Sequence, residues 1–152
     1  MSGAELALRL LAAFRGLVDE LHDQLAAEGH PAARPAHGFA LQAIGPHGTT
    51  AAELGVRLGV SKQAAGKTID ALEARGYVLR SADPVDARRK TVAVTPAGRD
   101  LLVRSAAIFE RLRSDRAALL GEERMAGVEA ALRVLAPAES FPFDAAAWFG
   151  DR

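Results

Sequence analysis

Residues 50–98 read TAAELGVRLGVSKQAAGKTIDALEARGYVLRSADPVDARRKTVAVTPAG, and the punctuation of this stretch decides the fold. Thr50 followed by Glu53 has the pattern of a capping box: the hydroxyl accepts from the Glu53 amide while the carboxylate reaches back. A helix over about 51–58 follows. Gly59 sits where left-handed backbone ends a helix and Ser61 where an N-cap starts the next, so only about three residues separate the two. The second helix, SKQAAGKTIDALEAR, places Ala65, Ile69 and Leu72 on one face and Lys62, Gln63, Gly66, Lys67 and Asp70 on the other, and Gly76 closes it. Two amphipathic helices joined by a tight glycine turn form a helix-turn-helix, whose second helix can enter the major groove of DNA. Beyond it, YVLRS and KTVAVT have the alternating, β-branched look of paired strands, and DPVDARR between them is too long for a tight turn. The expected result is a hairpin with a protruding tip.

Long helices flank this unit. Leu6, Leu10, Phe14, Leu17, Leu21 and Leu25 fall on one helical face over about 5–28, with Leu11 and Val18 off that face, and Gly29 with Pro31 is a stop signal. The polar, proline-rich connection at 30–38 leads into a short apolar helix, FALQAI, ending near Gly45. On the other side Thr95 and Pro96 are N-cap and first residue of a helix predicted to reach about Leu120, with apolar positions at 101, 102, 108, 109, 112, 119 and 120. A last helix over about 122–135 carries Met125, Val128, Leu132 and Leu135. The segment after Pro137 holds Phe141, Phe143, Trp148 and Phe149, aromatic enough to be expected to dock on something.

Composition bounds the function. A chain of 152 residues with 49% hydrophobic content can build one ordinary core. Its beginning lacks a basic start before an unbroken apolar run, and no window approaches the roughly 18 apolar residues of a membrane span. The expectation is a soluble, cytoplasmic protein with no membrane partner. With no cysteine, disulfides, thiolate nucleophiles and cysteine metal sites are excluded. The net charge of zero conceals an asymmetry: residues 57–90 hold eight Lys or Arg against four acids, a local +4 that leaves −4 elsewhere. Screening limits electrostatic reach to about 10 Å, so the local charge is what a nearby phosphate feels.

A charged turn such as 83-DPVDARRK-90 is, taken alone, more often solvated than functional. On the tip of a winged helix the balance reverses, because a guanidinium there can enter a narrow minor groove of enhanced negative potential. On the helix, Lys62, Gln63 and Lys67 are candidates for base edges or phosphates. Glutamine pairs bidentately with adenine, lysine donates to guanine, and Gly66 permits close approach. Ser61 caps the helix and can add a phosphate contact. His22, His30, His37 and His47 lack metal-ligand spacing, so no metal or other cofactor is expected. Asp83 and Asp86 lie on a tip and not in a cleft, and neither a Ser-His pairing nor a phosphate loop is legible, so an enzyme is not expected.

The order of residues from Thr50 to Leu102, above all the DP-x-D-x-RR tip followed by a short strand and TPAGR, resembles the MarR family of transcriptional regulators. The resemblance implies a homodimeric, mostly helical (α+β) protein: a winged helix-turn-helix over 35–94, an N-terminal dimerisation helix over 1–30, and C-terminal dimerisation helices and tail over 95–152. It implies a pseudo-palindromic operator in double-stranded DNA, released in many members when a small molecule binds. It places minor-groove and phosphate contacts on Arg88 and Arg89, with Asp86 bonding an arginine to stiffen the loop. Arg88 is expected in the groove, Arg89 in support or on phosphate, and Lys90 on phosphate. Family analogy puts an effector pocket between dimer helices and winged helix, near His37, Phe39 and the start of the long helix at Pro96. The alternative is a winged helix that binds a protein partner instead of DNA. Two modules on a two-fold axis would read half-sites about one helical turn apart.

Overall fold

The computed structural model describes residues 1–136. Helix α1 (Gly3–Ala27) starts at Ser2, whose hydroxyl accepts from the Glu5 amide at 3.1 Å. Helix α2 (Pro35–Ile44) begins four residues before the expected FALQAI segment. Proline at the first helical position lacks an N–H that would go unused there, and the Arg34 amide donates to His37 Nδ1 at 3.1 Å. A stretch that reads as connection is therefore partly helix: its N-cap, Arg34, offers no side-chain cap, and His37 takes the reach-back role that glutamate or glutamine fills in a capping box. Helix α3 (Ala51–Leu58) carries the expected capping box and ends at Gly59 in the left-handed region, φ 67°. Ser61 caps α4 (Lys62–Ala74) by accepting from the Ala64 amide.

Strands β1 (Val78–Ala82) and β2 (Lys90–Val94) pair antiparallel, Val78 opposite Val94 and Ala82 opposite Lys90. A third segment joins them: Thr49 and Val92 exchange both backbone hydrogen bonds, at 3.0 and 2.7 Å. This bridge ties the entry of α3 to the wing, and Gly48 allows it, since a Cβ there would lie 2.7 Å from the Val92 carbonyl oxygen. Helix α5 (Pro96–Leu120) is capped by Thr95, and α6 (Glu122–Leu135) follows across Gly121.

One continuous core joins these elements. Leu21 and Leu25 of α1, Leu41 and Ile44 of α2, Leu54 of α3, Ile69 and Leu72 of α4, Val78, Val92 and Val94 of the wing, and Leu101, Leu102, Ile108 and Leu112 of α5 all belong to it. At about 25 cal/mol per Å2 of apolar surface removed from water, such side chains supply most of the drive to fold. A buried polar node crosses the core's edge. His30 lies between the Tyr77 hydroxyl (Nδ1, 3.0 Å) and Asp100 (Nε2, 2.8 Å), joining the end of α1 to the α4–β1 junction and to α5. Asp100 also accepts from Arg104, and Arg104 and Arg111 both bond Glu28.

The apolar stripes divide in two. Val18, Leu21 and Leu25 are buried, but Leu6, Leu10, Leu11 and Phe14 in the first half of α1 are 42–49% exposed. Phe109, Leu119 and Leu120 at the outer side of α5 are exposed as well, and α6 buries no residue at all. The aromatic segment expected to dock lies outside the described residues. No helix among the described residues is long and apolar enough to cross a membrane.

Candidate nucleic-acid interface

The structure sorts the eight cations of residues 57–90 into two sets. Four are consumed internally. Arg57 donates to the carbonyls of Ala43 and Ile44 at 2.7 and 3.3 Å, a cation closing the negative end of α2. Arg75 bonds the carbonyls of Ala32 and Ala71. Arg80 on β1 is gripped by α4: its guanidinium meets Asp70 at 2.7 Å and Glu73 at 2.8 Å and donates to the Gly66 carbonyl at 3.3 Å. Arg89 pairs with Glu53 at 2.6 Å. The other four, Lys62, Lys67, Arg88 and Lys90, are exposed, and their side chains bond no other described residue.

Those four, with Gln63, occupy the two projecting parts of the module. Lys62 and Gln63 form the exposed first turn of α4, where the helix dipole and unpaired amides attract anions, and Lys67 is exposed farther along the helix. Gly66, one residue earlier, has open space where a Cβ would stand, so nothing within the chain itself requires a glycine there. Ser61 is exposed, but its hydroxyl is already the cap acceptor for Ala64.

The wing tip is organised by its two aspartates. Asp83 Oδ1 accepts from the amides of Val85 and Asp86 at 2.8 and 3.2 Å, and these two bonds hold its carboxyl below the usual carboxylate range. Asp86 Oδ1 accepts from the Arg88 backbone amide at 3.0 Å. Its bond to an arginine is thus to main chain and not to a guanidinium, which leaves the Arg88 side chain unengaged. The Asp83 amide donates to the Arg89 carbonyl and the Arg89 amide to the Asp86 carbonyl, closing the loop at its base. Neither the Asp83 turn nor the Glu53 and Arg80 ion pairs are evident from spacing. The one visible hint was Asp70 and Glu73, three apart on one side of α4.

Away from the tip, His37 is buried and Phe39 half-buried on α2. The Arg34 amide can only donate, so Nδ1 of His37 is the acceptor and the ring is neutral with its proton on Nε2. Burial, then the nearby charges of Arg75, Arg34 and His22, push this histidine below its ordinary value. Phe39 stacks on Phe14 of α1, with ring centroids 6.5 Å apart and planes at 26°.

Residues 34–89, from the start of α2 to the wing arginines, match the model of the MarR family. That segment is under half of the chain, and over it the sequence is similar to the MarR family. Likeness of fold to solved structures extends well beyond that segment. YusO from Bacillus subtilis is 22% identical and superimposes with a TM-score of 0.68 over 91% of this chain and 99% of its own. FabT from Streptococcus pneumoniae, solved in complex with DNA, is 17% identical with a TM-score of 0.73 over 88% of this chain and 94% of its own. The transcriptional regulator Tm0710 from Thermotoga maritima is 27% identical, with a TM-score of 0.59 over 86% and 89%. No curated protein matches the sequence significantly. The winged helix-turn-helix of this chain thus shares with these solved structures a fold that includes flanking helices, α1 before it and α5 and α6 after.

Proposed function

We propose that this protein is a MarR-family, sequence-specific DNA-binding transcription regulator that acts in the cytoplasm as a homodimer on a pseudo-palindromic operator. The observation that carries the proposal is the sorting of cations. Every unpaired Lys or Arg of the basic segment lies on the exposed part of α4 or on the wing, the two parts of a winged helix that can follow adjoining grooves of one duplex. Lys62, Gln63 and Lys67 read the major groove, with Ser61 and Gly66 at the backbone. Arg88 enters the minor groove, Lys90 holds phosphate, and Asp86 and Arg89 support the wing. That the similarly folded FabT was solved in complex with DNA supports the DNA-binding reading.

The exposed apolar faces support the dimer. Leu6, Leu10 and Phe14 on α1 and Val128 and Leu132 on α6 are each more than 40% exposed, large apolar side chains repeated at helical spacing on each helix. In a two-fold pair these helices cover one another and set the spacing of the two recognition helices. A small-molecule effector, where one acts, would be taken up near His37 and Phe39, where the Phe14–Phe39 pair joins the dimer helix to the DNA module. A coupling of about 1–3 kcal/mol there suffices for regulation. Repression is the mode of action we favour, because a dimer seated on an operator excludes other proteins from it.

Sequencing duplexes selected from a random pool by the purified protein tests the proposal. A palindromic consensus with half-sites about 10 base pairs apart is expected. Arg88→Ala should weaken binding to that consensus by about 1–3 kcal/mol at unchanged helical circular dichroism and unchanged mass. Selection of no consensus, or an Arg88→Ala protein of undiminished affinity, would overturn it.

A further inference from the structure

Glu53 makes more contacts than a capping residue needs. Its Oε2 accepts from the Thr50 amide at 2.9 Å and the Thr49 hydroxyl at 3.0 Å, while Oε1 takes the Arg89 guanidinium at 2.6 Å. The Thr50 amide, then the Thr49 hydroxyl, with Arg89 the smallest contribution, keep its carboxyl below the usual carboxylate range. Glu53 is therefore ionised at neutral pH and fixed in place before Arg89 reaches it. The Thr49–Val92 bridge anchors the same corner to β2. Arg89 is held from its own side as well, with its amide and carbonyl both bonded across the base of the wing loop.

From this geometry we infer that Glu53 is a specificity-determining residue, which keeps Arg89 off the DNA so that the wing grips the duplex with Arg88 and Lys90 alone. The inference rests on the DNA-binding reading of the wing. Its physical basis is the difference between contacts that read and contacts that merely attract. A cation that neutralises a phosphate strengthens binding to every sequence alike and adds to the salt dependence. Two free guanidiniums side by side on one wing would raise affinity for random DNA along with affinity for the operator. A carboxylate that occupies one of them removes that indiscriminate contact and leaves the groove-reading arginine untouched. Its negative charge also repels the phosphate that would otherwise compete for Arg89. The same acid is a helix cap, so its position is fixed independently of the wing.

The test uses full-length Glu53→Gln, whose amide oxygen can still accept from Thr50 but whose charge is gone. Binding is titrated against a duplex carrying the selected consensus and a scrambled duplex of equal length, each across a series of salt concentrations. Expected are tighter binding to the scrambled duplex, a smaller ratio between consensus and scrambled affinities, and a salt slope steeper by about 0.9 for each protomer bound. Adding Arg89→Ala to Glu53→Gln should return the slope to that of the unmodified protein. An unchanged slope and ratio in Glu53→Gln would overturn the inference, as would weaker binding to both duplexes at an unchanged slope, which would make Glu53 a purely structural cap. If the unmodified protein itself binds neither duplex with a salt dependence, it is the DNA-binding reading that fails.

Discussion

The division of cations into engaged and free sets a measurable quantity, the salt slope of operator binding. Four free cations per protomer, Lys62, Lys67, Arg88 and Lys90, make eight in a dimer. If each neutralises one phosphate, the logarithm of affinity falls against the logarithm of salt with a slope of about −7. Between about 50 and about 200 mM salt the operator complex then weakens by roughly 10 000-fold. Lys90→Ala removes two of the eight and brings the slope to about −5.4, so its deficit relative to the unmodified protein shrinks by about tenfold over that range. Arg80 makes the contrasting case. Its charge is met by Asp70 and Glu73 within the chain, so Arg80→Gln should loosen the packing of β1 on α4 but leave the slope near −7. Fluorescence anisotropy of a labelled consensus duplex at several salt concentrations reads all three slopes. Equal reduction by Arg80→Gln and Lys90→Ala would show that internal pairing does not withhold cations from DNA, and the reasoning would fail.

Other consequences follow from the packing. Leu6→Glu together with Leu10→Glu puts charges on a face exposed in the single chain, so sedimentation should report a monomer whose circular dichroism is unchanged; a persistent dimer would place the interface elsewhere. A Cβ on Gly98 would collide with the Tyr77 carbonyl and crowd Val94, and Gly98→Ala should cost about 1–3 kcal/mol in denaturant unfolding, with no loss signalling that the wing–α5 junction can yield. His37 takes up a proton less readily in the folded chain than in the unfolded one. The unfolded state then binds more protons just below the ordinary histidine range near 6.5, so stability should fall as pH drops from about 7 through that range. His37→Gln should flatten this slope of melting temperature against pH, and an unaltered slope would assign the effect to another group.

Much of the fold was legible because its boundaries are written in short-range chemistry. Thr50 with Glu53, Gly59, Ser61, Gly76 and Thr95–Pro96 each act on backbone within three or four residues, so their spacing alone marks where helices start and stop. The start of α2 is not legible for the complementary reason: its N-cap is Arg34, which makes no side-chain cap bond, and the bond back to the Arg34 amide comes from His37, where a glutamate or glutamine would be the expected signal. The third partner of the sheet, Thr49, was invisible because a single bridging residue has no alternating pattern to display.

The candidate interface was legible only as a set of charges, and this limit has a physical cause. Eight basic residues in residues 57–90 look equivalent in sequence, and the local +4 treats them so. What separates them is pairing over long sequence distances, Arg89 with Glu53 across 36 residues and Arg57 with carbonyls 13 and 14 residues away. Exposed ion pairs contribute little to stability one at a time. Their effect here is on availability: a guanidinium already facing a fixed carboxylate is a poor phosphate ligand, whatever the net charge around it. The binding surface of such a module is therefore set as much by its acids as by its bases. A change at Glu73 or Glu53, neither of which is assigned a contact with the duplex, should alter DNA discrimination by loosening the hold on Arg80 or Arg89.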